Sequence, residues 1–126
     1  MKLTPTDPPR RFRVGRLAPV ELSDCGRIEL APDEQVTFTT EAGGEYDVAR
    51  KSWGFYATPS LNGRLRSFGW RAALVKSQNA RFYVLLVEAG KDAEFQRYLD
   101  LEGHVVVCWL DRDEDLEVIQ RKVRQD

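Results

Sequence analysis

Polar and apolar residues alternate through much of the first half of this chain, and after residue 90 they give way to apolar spacings of three and four. Alternation buries one face of a strand, whereas spacings of three and four draw an apolar stripe along a helix. Residues 11–17 alternate as a strand does, until Pro19 interrupts them. Residues 27–30 and 35–40 read as two short strands joined by Ala31-Pro32-Asp33-Glu34, where Pro32 and Asp33 suit a turn. In the second of these, Val36 and Phe38 point one way and Gln35, Thr37 and Thr39 the other, so a half-buried strand is expected. Ala42-Gly43-Gly44-Glu45 is a turn, and residues 46–51 return as a further strand.

Past Gly54 two readings compete. Thr58-Pro59 has the form of a helix N-cap followed by proline at the first helical position. Leu61, Leu65 and Phe68 then recur at helical spacing before Gly69, which predicts a helix over 59–68. Asn62-Gly63 inside that stretch is a hairpin signal, and glycine within a helix costs about 1 kcal/mol relative to alanine.

Residues 70–76 and 81–88 read as an antiparallel hairpin around a turn at 77–80. Asp92 is placed to cap a helix that carries Phe95, Tyr98 and Leu99 on one stripe and stops at Gly103. Residues 104–110 are nearly all apolar, as a central strand is, and the strand, helix, strand order predicts a right-handed crossover. Asp113, Glu114 and Asp115 then precede Leu116, Ile119 and Val123, with Arg121, Lys122 and Arg124 behind them, a charge order that complements a terminal helix dipole. The predicted fold is α+β: a strand-rich first half, then a helix, a β-hairpin, a helix, a central strand and a C-terminal helix. Residues 1–9, with Pro5, Pro8 and Pro9 and few apolar groups, are expected as a flexible tail, which leaves 10–126 as a single α+β domain.

Composition narrows the class. Hydrophobic residues at 42% and charged residues at 31% are ordinary for a folded chain and too apolar for a wholly disordered one. The longest apolar runs, 83–87 and 105–110, fall far short of the roughly 20 residues that cross a bilayer. Residues 1–13 hold no apolar stretch suited to a signal peptide, so a cytoplasmic location and no membrane partner are expected. Cys25 and Cys108 lie outside any CxxC or Cys/His cluster and are expected as reduced thiols; neither a metal site nor a cofactor is expected.

A net charge of -1 counts against general nucleic-acid binding, but its distribution is uneven. Residues 1–81 carry 13 Lys and Arg against 9 Asp and Glu, a balance of +4, and residues 82–126 carry 6 against 11, a balance of -5. Residues 48–81 hold seven bases (Arg50, Lys51, Arg64, Arg66, Arg71, Lys76 and Arg81) and no acid.

Most apparent chemical motifs dissolve on inspection. His104 and Cys108 resemble a nucleophile pair, yet four residues of strand span about 13 Å, far beyond hydrogen-bond reach. Asp111, Asp113 and Asp115 alternate like the opening of a calcium loop, but the sixth position is Leu116 instead of glycine and the twelfth is Lys122 instead of glutamate. The scattered glycines match neither a phosphate-binding loop nor a dinucleotide fingerprint.

Residues 50–64 remain. Lys51, Trp53, Tyr56, Thr58, Ser60, Asn62 and Arg64 are the expected ligand-binding set, ending at the predicted helix start. Free backbone N–H groups there, with Thr58 and Ser60, would seat an anion; Arg64 would fork onto it, and Trp53 or Tyr56 would stack on a base or sugar ring. Arginine outnumbers lysine 14 to 5, which suits planar anions. The competing reading is structural: Trp53 and Phe55 alternate as core-facing strand residues do, and the bases are partnered by the acidic second half. The functional expectation is a small non-catalytic binding or accessory domain recognising an anionic, phosphorylated or nucleotide-linked small molecule. One alternative is a protein–protein interaction or self-association module, homo-oligomeric in the second case. The other is a compact enzyme using Tyr56 or His104 for acid–base work.

Overall fold

In a computed structural model, which describes residues 1–124, eight strands form three small sheets and three helices lie in the second half, an α+β fold with a strand-rich first half. Met1–Thr37 and Asp47–Thr58 make one compact unit, and Phe38–Tyr46 with the chain from Pro59 onward make another.

The first unit is built on a long hairpin. β1 (Lys2–Val14) pairs antiparallel with β2 (Val20–Glu29), so residues 2–9 are strand and not the expected tail. Lys2 lies opposite Glu29 and Leu3 opposite Ile28; the register breaks between Pro5 and Arg10 and resumes with Arg10 opposite Asp24. Proline cannot donate to a ladder and is tolerated on an edge strand at an irregularity, which is where Pro8 and Pro9 sit. Opposite Pro5, only glycine fits: a Cβ on Gly26 would lie 2.7 Å from the Thr4 carbonyl oxygen. The expected Ala31-Pro32-Asp33-Glu34 turn forms, with Asp33 at φ 68° and the Glu34 carboxylate accepting the Ala31 N–H at 2.8 Å.

β3 (Gln35–Thr39), β4 (Glu45–Lys51) and β5 (Gly54–Ala57) follow as a sheet in that order, β4 and β5 closing a tight antiparallel hairpin with Lys51 opposite Gly54. The half-buried alternation expected of β3 holds at Val36 but fails at Phe38, which is 52% exposed.

In the second unit the expected helix over 59–68 shrinks to one turn, α1 (Arg64–Ser67), preceded by turns at 61–63. Gly63 sits at φ -125° and ψ -90°, outside the helical region, so Asn62-Gly63 delays the start of the helix without producing a hairpin. Thr58 and Pro59 therefore stand outside the helix they were expected to start. β6 (Trp70–Lys76) and β7 (Phe82–Glu88) form the expected antiparallel hairpin. α2 (Asp92–Glu102) ends at Gly103 in the left-handed conformation, and its N-cap is Lys91, not Asp92. β8 (Val105–Trp109) then pairs antiparallel with the other side of β6, and α3 (Asp113–Val123) closes the described chain with acids in its first turn and bases in its last.

The sheet order is β7-β6-β8, so the central strand is β6 and β8 lies at an edge. β7 and β8 run in the same direction, as a crossover requires, but β6 separates them. The sheet nevertheless buries one face well. Ala73, Val75 and Leu99 form its core, with Leu85, Phe95, Val106 and Trp109 packed around them. At the base of the sheet the Glu88 carboxylate accepts the Gly44 N–H at 3.1 Å, and Trp70 Nε1 donates to the Glu45 carbonyl at 2.9 Å. A Cβ on Gly44 would meet the Trp70 ring at 2.7 Å, which explains the glycine.

Candidate functional site

The residues expected to bind a ligand are divided between the units: Lys51, Trp53, Tyr56 and Thr58 belong to the first, and Ser60, Asn62 and Arg64 to the second.

In the first unit, the β4–β5 register places Arg50 opposite Phe55 and Ala49 opposite Tyr56, with Ser52 and Trp53 in the turn. Trp53 in the turn is 71% exposed, and on β5 Phe55 is 64% and Tyr56 50% exposed. The expectation that Trp53 and Phe55 face a core is therefore overturned. The neighbouring cations are already engaged. Lys51 pairs with the Asp33 carboxylate, and the Arg50 guanidinium donates to the Leu30 carbonyl at 3.0 Å. Thr58 donates its N–H to the Asp47 carbonyl at 3.0 Å.

In the second unit the N–H groups that open α1 are bonded within the chain. The Arg64 N–H donates to Ser60 Oγ at 3.1 Å and the Leu65 N–H to the Ser60 carbonyl at 3.1 Å, so Ser60 consumes the donors that were to receive a ligand. The Arg64 guanidinium lies over the Phe68 ring at 4.8 Å, and Asn62 donates its amide to Asp113 at 2.8 Å.

A polar cleft of about 570 Å³ is lined by Leu61, Asn62, Gly63, Arg66, Arg71 and residues 111–114. At its back the Asp111 side chain is 2% exposed and accepts a two-pronged bond from Arg71, at 2.9 and 3.2 Å, with Arg66 at 3.6 Å. Arg71 also stacks on the Trp109 ring at 4.0 Å. The hydrogen bond that Arg71 donates to Asp111 is the main influence that raises the Arg71 pKa above its ordinary value. Sequence reasoning missed this pair, although its signal was present: Arg71 is the one charge inside the apolar strand sequence Trp70-Arg71-Ala72-Ala73-Leu74-Val75, and such a charge needs a partner.

His104 sits between the Tyr83 ring, stacked at 6.5 Å, and the Tyr98 ring, edge-on at 5.7 Å. Its buried Nδ1 has no hydrogen-bond partner among the described residues. Among those residues, no three His, Cys, Asp or Glu side chains gather as metal ligands, and no helix is long and apolar enough to cross a membrane.

Both cysteines are free thiols, Cys25 exposed and Cys108 half-buried. Burial, with the Asp115 charge behind it, pushes the Cys108 thiol up. Near neutral pH, a disulfide reagent should titrate Cys25 first and Cys108 about tenfold more slowly or less. Cys25→Ser should remove the fast phase alone; an unchanged fast phase contradicts the assignment.

No family model, curated protein or solved structure matches this chain.

Proposed function

We propose that this chain is a non-catalytic protein-interaction module that docks a partner protein through the β4–β5 hairpin. The observation that carries this reading is the outward display of Trp53, Phe55 and Tyr56 on one short hairpin of the first unit. Rigid aromatic side chains supply most of the energy of protein contacts, and an Arg or Lys beside them suits an interface rim. The anionic-ligand reading has less support, because Lys51 is ion-paired and Ser60 takes the N–H groups at α1. The proposal places the protein in the cytoplasm, where its two free thiols stay reduced.

Replacing Trp53 with a photo-crosslinking phenylalanine in the producing cells tests it. A discrete adduct with a second protein is expected, and Phe55→Ser with Tyr56→Ser should abolish it. Position 120, exposed on α3, is the control and should give none. If position 53 gives no adduct beyond that of position 120, the reading fails. Saturable binding of a phosphorylated small molecule that disappears in a Lys51→Ala, Arg64→Ala variant would replace it with the anionic-ligand reading.

A further inference from the structure

The edges of the three sheets are not equally guarded. A strand edge presents unpaired N–H and C=O groups, and proteins blunt it with proline, charge, irregularity or shortness. β1 carries Pro5, Pro8 and Pro9 with a broken register, β5 has four residues and β3 five. β8 is also short, and its pairing with β6 is irregular between Leu74 and Val75. β7 has none of these devices. It is the end strand of its sheet, and Phe82-Tyr83-Val84-Leu85-Leu86-Val87 is six apolar residues without a charge, proline or glycine. Phe82 is 57% exposed, Tyr83 50% and Val84 60%.

We infer that β7 pairs edge to edge with β7 of a second copy of this chain, making a six-stranded antiparallel sheet across a two-fold axis. An axis perpendicular to the sheet reverses strand direction and keeps each face on its own side, so directly opposed residues share a face. Centred on Val84, it sets Val84 against itself, Phe82 against Leu86 and Tyr83 against Leu85. Every one of these cross-strand pairs is apolar on both faces, which is the self-complementarity that an isologous contact needs. A net charge of -1 per copy adds little repulsion. The three exposed side chains offer on the order of 300 Å² per copy, short of the roughly 800 Å² of a standard interface, so the dimer is weak and concentration-dependent.

This inference is independent of the hairpin of the first unit. Sedimentation velocity of the full chain from about 10 µM to about 1 mM should show the average mass rising towards twice that of one copy. Moderate salt should not reverse it, because the contact is backbone and apolar. Val84→Lys, which sets two ammonium groups together at the axis, should hold the protein monomeric throughout. Val105→Lys, at an equally exposed position on β8, and Trp53→Ala should leave dimerisation unchanged. In the unsubstituted protein, β7 amides should gain hydrogen-exchange protection as concentration rises, which answers the question even if Val84→Lys perturbs folding. A monomer at the highest concentration overturns the inference, and so does a dimer that gains no β7 protection. A dimer that Val105→Lys dissociates assigns the contact to β8 and overturns it too.

Discussion

An Arg71→Met variant should lose about 3 kcal/mol of folding stability and melt roughly 10 °C lower. The reason is the asymmetry of the pair: the Asp111 side chain is 2% exposed while that of Arg71 is 34% exposed, so removing the arginine strands a buried carboxylate. Arg66, 3.6 Å away and 69% exposed, can only partly compensate. Asp111→Leu alone should cost less, about 1 to 2 kcal/mol, because Arg71 keeps its stack on Trp109 and some solvent. The double variant Arg71→Met, Asp111→Leu should recover half or more of the single loss, since an apolar pair of similar size needs no charge compensation. Chemical denaturation of the four proteins measures this coupling directly. A loss below about 1 kcal/mol for Arg71→Met would show that Asp111 finds another partner or water. The same geometry explains why the cleft is weak evidence for a ligand: Asp111, Arg71, Arg66, Asn62 and Asp113 already satisfy one another, so an incoming anion must displace a protein carboxylate before it gains a bond.

How much of this was legible in the sequence varies with the range of the interaction that decides each element. β6 matches its sequence expectation residue for residue, and α2 ends at Gly103 as expected, because turns, periodicity and a left-handed glycine are local signals. β1 was not legible. Three prolines argue locally for a tail, and only pairing with a strand some twenty residues later makes residues 2–9 part of a sheet. β8 reads as central because it is uniformly apolar, yet Val105 and Val107 are 59% and 51% exposed at a sheet edge; periodicity reports hydrophobicity without reporting what covers it. On the β4–β5 hairpin the sequence left two readings open, a ligand surface with Trp53 and Tyr56 or a core with Trp53 and Phe55, since alternation cannot say whether a strand face meets a core; the exposure of all three rings decides against the core. Arg71 and Asp111 stand forty positions apart, and no local pattern links them.

Leu65→Ala should be the costliest truncation of an aliphatic side chain, at about 3 kcal/mol, because Leu65 is fully buried and its removal leaves a cavity as well as a lost transfer term. A four-residue helix cannot sustain itself, as the first turn of any helix fixes several residues for a single hydrogen bond. α1 therefore exists because Leu65 is anchored, and α1 packs on β6. The loss should spread: with Leu65 released, the Ser60 oxygens that hold the Arg64 and Leu65 N–H groups have no fixed partner, and Arg66 loses its place beside Asp111. Leu61, a third exposed, makes the matched control, and Leu61→Ala should cost less than about 1 kcal/mol. Leu65→Met should retain most of the stability, because a flexible side chain of similar volume refills the site. Urea titrations of the three variants decide the matter: if Leu65→Ala costs no more than Leu61→Ala, the turn at Ser60 holds residues 60–68 by hydrogen bonds alone. In that case burial of Leu65 is a consequence of the turn and not its cause.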